Sequence, residues 1–296
     1  MLKRNEVLII NKYKKYISSI LIVELLSCNS ICYAKTNIGK EVKNNQLILK
    51  NPVSQSEIYE YKSNVRCYDG VNLKYNDRGI CILAYHCIDY EKNNGLKVPK
   101  EQFRRQMKYI KDNGYCTITL DELYKFMLNN KPIPEKSVVI TFDDGYIDNY
   151  KNAYPILKEF NLKATIFVIS KTIDKRKAYM TSNQLKELQA NGIDIQSHTL
   201  DHEELTTLSY KQQLNTLKES KISLEKILGE TVNYIAYPYA KYNNDTIKAT
   251  MNAGYAMGFI LGGTVARKDD GIYTLRRMCV IPSDSMDVFR SRLNIH

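Results

Sequence analysis

The sequence predicts an α/β fold built on a parallel sheet, because strand-like and helix-like segments alternate from about residue 80 to the end of the chain. The predicted strands are short and apolar, which is typical of strands buried on both faces. In such folds the carboxyl ends of the strands carry the chemistry, whether the sheet is open or closed into a barrel. The sequence shows no second domain and no repeat of solenoid period.

The predicted elements follow one another in a nearly regular order. Strands are predicted at Ile80–Ile88, Ser137–Phe142, Ala164–Ile169, Ile193–Ser197, Tyr234–Tyr237, Ala256–Ile260 and Ile272–Cys279. Helices are predicted at Glu101–Asn113, Asp121–Asn129, Asp148–Phe160, Ser182–Asn191, Ser209–Leu228, Asn243–Ala253 and Ser285–Leu293. Two successive helices after the first strand, and two successive strands near the end, are the departures from strict alternation.

Residues 1–34 predict a signal peptide or an N-terminal membrane anchor. Met1–Lys15 is rich in Lys and Arg, Ile17–Leu26 is apolar, and small residues precede a cleavage point after Ala34. The apolar run is shorter than the ~20 residues that a membrane-spanning helix needs. We therefore expect export with cleavage after Ala34. Retention as an anchor and lipidation at Cys28 are the alternatives.

Composition agrees with one exported catalytic domain. Residues 35–77 are polar and predict a linker, which leaves 78–296 for the domain. The net charge is +11, but the Lys and Arg residues are spread along the chain rather than clustered beside aromatic residues. We therefore expect no nucleic-acid partner and instead an anionic cell wall or membrane surface. The five cysteines beyond the signal are an odd number without paired spacing, which argues against a disulfide framework.

Two adjacent carboxylates, Asp143 and Asp144, end the apolar strand at 137–142 and are followed by Gly145. Neighbouring aspartates at a strand end repel each other unless a cation or a shared proton relieves them. For an isolated Asp-Asp-Gly, capping of the next helix is an equally good explanation. The histidines further along the chain favour a functional site over a helix cap.

Three of the four histidines also lie at the ends of predicted strands. His198 and His202 are four positions apart, a spacing that places both imidazoles on one face of a helical turn. With Asp144 they form the two-histidine, one-carboxylate set that holds a divalent metal and leaves positions open for water. His86 ends another apolar strand.

These motifs resemble the NodB-like polysaccharide deacetylases, carbohydrate esterase family 4. Thr141–Gly145 matches the first motif of that family, and His198–His202 matches the second, His-Ser/Thr-x-x-His. The segment 234–240 resembles the third, Arg-x-Pro-aromatic-Gly, with Pro238 and Tyr239 in register. Alanines stand at its arginine and glycine positions, 236 and 240.

A C-terminal Leu-x-His, which supplies the second catalytic histidine in the family, is not evident in this sequence. The Tyr-His pair that ends at His86 is similar to the exopolysaccharide deacetylase branch, in which the motifs are circularly permuted. The resemblance implies a distorted (β/α)7 barrel of NodB type. It also implies metal-dependent hydrolysis of the N-acetyl group of N-acetylglucosamine units in a cell-surface polysaccharide. Poly-N-acetylglucosamine and peptidoglycan both fit, and we expect a monomeric enzyme.

The resemblance also assigns roles to individual residues. It implies one divalent metal ion, with zinc as the first choice and cobalt, nickel or manganese as alternatives, held by Asp144, His198 and His202. Asp143 is then the base, and the backbone N–H of Tyr239 faces the oxyanion. Pro238 and Tyr237 complete the substrate groove, in which the motif tyrosines Tyr146 and Tyr239 are also expected.

Two catalytic assignments carry an alternative. His86 is expected to be the general acid, and the competing hypothesis is a buried histidine bonded to a backbone carbonyl. Arg277 is expected to replace the missing arginine of the third motif by pairing with Asp143, and a plain surface ion pair is the alternative.

Two other protein classes fit these motifs less well than a deacetylase does. An inactive carbohydrate-binding protein on the same fold has no need of both aspartates and three strand-end histidines. A nuclease or phosphatase usually assembles two metals from more carboxylates than these motifs supply.

Overall fold

The computed structural model describes residues 40–43, 46–49 and 71–294. The chain divides into two compact units, Met1–Gly70 and Val71–His296. In the first, strands β1 (Lys40–Lys43) and β2 (Gln46–Leu49) pair antiparallel within the region predicted as a linker. The predicted signal lies outside the described residues.

The second unit contains the strands and helices that the sequence predicts, together with three additional strands of two residues each. Its strands are β3 (Leu73–Lys74), β4 (Cys81–Tyr85), β5 (Cys116–Thr117), β6 (Ile133–Pro134), β7 (Ser137–Phe142), β8 (Thr165–Val168), β9 (Asp194–Ser197), β10 (Tyr234–Ala236), β11 (Met257–Leu261) and β12 (Leu275–Cys279). Its α-helices are α1 (Lys100–Asp112), α2 (Leu120–Asn129), α3 (Tyr154–Phe160), α4 (Ser182–Ala190), α5 (Tyr210–Leu228), α6 (Asn244–Asn252) and α7 (Met286–Leu293).

Seven parallel strands close into a barrel in the order β4, β12, β11, β10, β9, β8, β7, and β7 pairs again with β4. The predicted α/β fold and distorted (β/α)7 barrel are confirmed. The distortion lies beside β7, where β5 pairs with Ser137 and Val138 and β8 pairs with Thr141 and Phe142. The first strand of the ring, β4, therefore lies next to the last strand, β12.

Alternate residues of the central strands enter two different clusters. Leu83 and Ile140 pack outward against the helices. Ile82 and Val139 belong to a cluster drawn from most strands of the ring, which fills the barrel interior. Helix α2 contributes Leu120, Leu123 and Phe126 to that inner cluster. This helix closes the amino end of the barrel and leaves the carboxyl end for the site.

The helix predicted at 148–160 begins differently from expectation. Residues Asn149–Ala153 form a π-helical turn, and the α-helix starts only at Tyr154. Pro155 has no N–H for an α-helical bond, and the buried Asn149 side chain donates to the backbone oxygen of His86 at 2.8 Å. The turn thus links α3 to the strand end that carries His86.

Among the residues described, no helix combines the length and the apolar character that crossing a membrane requires.

Candidate active site

A cavity of about 500 Å³ opens at the carboxyl end of the barrel. Most of the predicted site residues line it: His86, Asp143, Asp144, His198, His202, Tyr237 and Tyr239. Pro238 and Arg277 are buried and are not among the lining residues. The residues come from motifs far apart in the sequence, and the closed ring of strands brings their ends together.

Asp144, His198 and His202 form a compact set of potential metal ligands. Asp144 Oδ1 lies 3.4 Å from Nε2 of His198 and 3.3 Å from Nε2 of His202. The candidate ligand atoms all lie within 4.8 Å of one another. Asp144 Oδ1 is buried and has no hydrogen-bond partner. A buried carboxylate oxygen without a donor is energetically costly. A cation bound between the carboxylate and the two imidazoles would remove this cost, whereas contact among the three side chains alone does not.

The orientation of His198 is fixed by the backbone of the neighbouring strand. Its Nδ1 lies 2.8 Å from the carbonyl oxygen of Ala236, so Nδ1 carries the proton and donates. Nε2 is then left with its lone pair toward Asp144. Burial lowers the pKa of His198 to about 4, and burial also lowers the pKa of His202. Both rings are therefore neutral at pH 7, the form that binds metal.

The predicted helical turn between the two histidines is wrong. Thr199 has φ 66° and His202 has φ 58°, both in the left-handed region, and Asp144 has φ 71°. Residues other than glycine rarely adopt this conformation, which costs about 1–3 kcal/mol each unless neighbouring contacts offset it. The two imidazoles converge through a strained loop, with ring centroids 5.0 Å apart.

Asp143 is held by a buried arginine. Arg277 on β12 donates from Nη1 and Nη2 to the two carboxylate oxygens at 2.7 and 2.8 Å, and Nη1 also lies 3.1 Å from Thr141 Oγ1. Arg277 is fully buried, and its guanidinium lies 5.1 Å from the ring centre of Phe167. The surface ion pair considered as the alternative is therefore excluded.

The two adjacent aspartates have opposite ionisation behaviour. Burial disfavours the charge of Asp143, but the Arg277 guanidinium outweighs it and holds the pKa of Asp143 well below its usual range. Burial and the neighbouring Asp143 charge raise the pKa of Asp144 to about 7, against a hydrogen bond from the Tyr146 hydroxyl. Asp143 is thus a stable anion, whereas Asp144 depends on a cation to ionise fully at neutral pH.

His86 lies beside Asp143 at the end of β4. Its Nε2 is 3.9 Å from Asp143 Oδ2, and its buried Nδ1 has no hydrogen-bond partner. Burial lowers the pKa of His86, and the Asp143 charge acts in the opposite direction. The ring shows no bond to a backbone carbonyl in the described structure, so the geometry does not support the competing structural hypothesis.

The third motif contributes one exposed and two buried residues. Tyr239 is 59% exposed, and its ring centroid lies 4.6 Å from that of His202. Tyr237, which the sequence placed in the substrate groove, is almost fully buried and donates its hydroxyl to Thr250 at 3.1 Å. That prediction is corrected, because Tyr237 forms part of the cavity wall rather than a free sugar-binding face. Pro238 is buried beside it.

Leu96, Arg176 and Tyr179 line the cavity but were not predicted from the sequence. Tyr179 stacks on Tyr146 with ring centroids 4.9 Å apart, and both line the cavity. Leu96 and Arg176 line it from loops. Tyr146 follows the first motif and was predicted in the groove from the sequence, in agreement with its place in the cavity lining. The other three carry no motif, and only the folded loops bring them to the cavity.

Fold and site together define a hydrolase of the NodB type, with an arginine-paired carboxylate beside three potential metal ligands. Residues 130–258 match the polysaccharide deacetylase family model. A Bacillus subtilis protein named as a polysaccharide deacetylase, YxkH, is 43% identical over 208 residues, which cover 70% of this chain and 74% of that protein. The chain therefore belongs to the polysaccharide deacetylase family, and the predicted family and enzyme class are confirmed.

Two further relatives support this placement. The poly-β-1,6-N-acetyl-D-glucosamine N-deacetylase of Staphylococcus aureus is 27% identical over 238 residues, covering 70% of this chain and 81% of that protein. The Streptococcus pyogenes deacetylase PplD, whose structure is known in complex with acetate, is 33% identical in sequence to this chain. The two structures superpose with a TM-score of 0.71. That likeness covers 73% of this chain and 98% of PplD.

Proposed function

We propose that the protein removes the N-acetyl group from N-acetylglucosamine units of a cell-surface polysaccharide and releases acetate. The observation that carries the proposal is an anionic Asp143 beside the triad of Asp144, His198 and His202. The named substrate of the Staphylococcus aureus relative and the acetate bound to PplD agree with it. Poly-N-acetylglucosamine, peptidoglycan and chitin oligomers are the substrates that we propose to compare.

The triad suits one divalent ion, and two imidazole nitrogens with one carboxylate favour zinc. Cobalt, nickel and manganese accept the same ligands. When bound, such an ion supplies Lewis-acid polarisation of the acetamide carbonyl and lowers the pKa of water. The remaining chemistry belongs to the side chains around it.

In this proposal Asp143 is the general base. Its carboxylate accepts a proton as water attacks the carbonyl carbon, and Arg277 fixes the position of both oxygens. A carboxylate held in one orientation needs no rearrangement before proton transfer. Because the Arg277 pair is buried, solvent does not compete for it.

His86 is proposed as the general acid. An amine leaves poorly unless it is protonated, so His86 in its imidazolium form, which the Asp143 charge favours, donates a proton to the nitrogen as the carbon–nitrogen bond breaks. Asp143 then passes the proton that it took from water to His86, whose Nε2 lies 3.9 Å from Asp143 Oδ2, and both groups return to their starting forms. Acetate and a glucosamine unit are the products. The backbone N–H of Tyr239 is proposed to stabilise the oxyanion, with Pro238 and Tyr237 shaping the wall behind it.

The proposed setting is outside the cell. We propose that residues 1–34 direct export, and that a monomeric enzyme then acts at the cell wall or membrane surface. The net charge of +11 favours an anionic surface of this kind. An inactive carbohydrate-binding role is less favoured, because it leaves the paired Asp143 and the partnerless Asp144 oxygen without a purpose.

The test is acetate release by the purified full chain from poly-N-acetylglucosamine oligomers, chitin oligomers and peptidoglycan, with phosphate release from nucleic acid measured alongside. We expect acetate release, loss of activity with a chelator, and recovery with zinc. His86→Gln should stay folded and metal-loaded but lose most turnover. A zinc-loaded protein that releases no acetate from any of the three polymers contradicts the proposal.

A further inference from the structure

The loop from Thr199 to Glu203, here called the histidine loop, presents His202 to Asp144 in an unfavourable backbone conformation. Both Thr199 and His202 have left-handed φ angles, and neither is glycine. Such a conformation persists only where surrounding contacts fix it. The contacts that fix this loop therefore also decide where the imidazole of His202 lies.

The Glu203 carboxylate is the centre of those contacts. Its Oε2 accepts a hydrogen bond from the hydroxyl of Thr199 at 2.8 Å and another from the backbone N–H of Asp201 at 3.1 Å. The same Thr199 hydroxyl accepts a bond from the backbone N–H of His202 at 3.1 Å. One carboxylate oxygen thus reaches the backbone of His202 through a single intervening hydroxyl.

The other carboxylate oxygen anchors the loop to a long helix. Thr216 on α5 donates its hydroxyl to Glu203 Oε1 at 2.5 Å. One turn further along α5, Ser220 donates to the backbone oxygen of Thr199 at 2.9 Å. Helix α5 is 19 residues long and packs into the core, so it is a rigid support for the loop.

We propose that Glu203 is a positioning residue for the metal: by tying the histidine loop to α5 it sets the orientation of His202, and metal affinity depends on it. The inference rests on the proposed metal site. Glu203 lies next to His202 in the sequence but outside the ligand set, and its oxygens are occupied by Thr199, Asp201 and Thr216.

The chemistry explains why a carboxylate is needed here. Three donors converge on Glu203, and a carboxylate offers two acceptor oxygens with no hydrogen of its own. An amide of the same shape keeps one acceptor oxygen and turns an NH₂ group toward the other donors. Glu203→Gln should therefore weaken the loop contacts without leaving a gap, and Glu203→Ala should remove them.

The test uses the purified full chain, with zinc affinity measured by competition with a chromogenic chelator. Glu203→Gln should weaken zinc binding about 10-fold, and Glu203→Ala about 10–100-fold, the range typical of partners that orient metal ligands. Thr216→Val should give a smaller loss that is not additive with Glu203→Ala. Glu219→Gln is the matched control, because Glu219 is an exposed glutamate on α5 that Asn215 contacts, and it should leave the affinity unchanged.

Thermal unfolding of the metal-free proteins separates positioning from simple stabilisation. We expect the metal-free variants to melt close to the parent protein, and the stabilisation that zinc adds to be smaller in Glu203→Ala. Unchanged zinc affinity in Glu203→Ala, with a lower melting temperature, would overturn this inference and leave the proposed function standing. A parent protein that binds no zinc would instead overturn the metal site itself.

Discussion

Asp143 and Asp144 are neighbours in the sequence, yet the regions around them are built in opposite ways. The region of the proposed base, here called the base region, is built on barrel strands: Asp143 directly follows β7 and pairs through both carboxylate oxygens with Arg277 on β12. The metal region, Asp144 with His198 and His202, lies on turns with left-handed backbone and contains a buried oxygen without a donor.

This difference separates two physical tasks within one cavity. A base works best when its position and charge are fixed before the substrate arrives, and a buried ion pair between strands provides that. A metal site must instead keep ligand atoms unsatisfied until the ion binds, which costs stability in the metal-free protein. The base region should therefore stabilise the fold, and the metal region should destabilise it.

The largest expected effect tests the base region. Arg277→Met leaves the Asp143 charge buried without its partner, and we expect the free energy of unfolding to fall by about 3–5 kcal/mol. Chemical denaturation of the metal-free protein measures this change. Arg276→Met is the matched control, because Arg276 is the adjacent but exposed arginine of β12, and it should cost less than about 1 kcal/mol. If the two substitutions lowered the free energy of unfolding equally, the proposed stabilising role of the base region would be contradicted.

The next prediction separates base from ligand by activity. Asp143→Asn removes the proton acceptor but no metal ligand, so we expect turnover to fall by about 10²-fold or more while zinc content stays near one per chain. Zinc analysis and acetate release on the same preparation give the answer. Loss of zinc in Asp143→Asn would show that the roles of the two aspartates are reversed.

The third prediction concerns the stability cost of the metal region and its dependence on pH. The pKa of Asp144 is raised from 3.8 to about 7. Between about pH 4 and about pH 7, therefore, Asp144 is protonated in the folded metal-free protein but ionised in the unfolded chain. Stability therefore falls as the pH rises from about 4 to about 7. Asp144→Asn abolishes this cost. At pH 8 it should stabilise the metal-free protein by about 2–4 kcal/mol, because the rise in pKa from 3.8 to about 7, at ~1.4 kcal/mol per pKa unit, sets the upper limit.

The same variant contains its own control. At pH 4 or below Asp144 is already protonated in the folded protein, so the gain from Asp144→Asn should disappear there. Asp143 behaves in the opposite sense, because its pKa is lower in the folded protein than in the unfolded chain. Its ion pair stabilises the fold at pH values above the ordinary pKa of aspartate, and this stabilisation is lost in acid. A metal-free Asp144→Asn protein that is less stable than the parent at pH 8 would contradict the stability cost assigned to the ionised Asp144.

The sequence predicted the fold well where burial alone shapes an element. The strand predicted at 137–142 has those bounds in the structure, because every residue in it is buried and the apolar run ends where the site begins. The π-helical start of the helix after it was not predictable. That turn depends on a bond from Asn149 to the backbone of His86, a contact between segments far apart in the chain.

The candidate site was predictable from its motifs but not in its detailed conformation. The histidines at 198 and 202 were placed on a helical turn because spacing is all that the sequence shows. Their left-handed loop depends on Glu203 and Ser220, whose contacts exist only after folding. The bidentate pairing of Arg277 with Asp143 spans the barrel from β12 to β7, so the sequence could only suggest it as one of two alternatives.

The smallest expected effect tests strain in the third motif. Ala240 has φ 55° at the position where the family motif has glycine, which adopts this conformation without steric cost. The left-handed conformation costs alanine about 1–2 kcal/mol, whereas glycine loses roughly 0.4–1 kcal/mol through the greater entropy of the unfolded chain. The first term is larger, so Ala240→Gly should stabilise the protein by about 0.5 kcal/mol in thermal or chemical unfolding. Ala190→Gly, at the exposed last residue of α4, is the control and should destabilise the protein by up to about 0.5 kcal/mol, because a helix end loses less than the helix interior. If both substitutions destabilise the protein equally, the turn at Ala240 is not strained, and the cost of the site lies in the metal ligands alone.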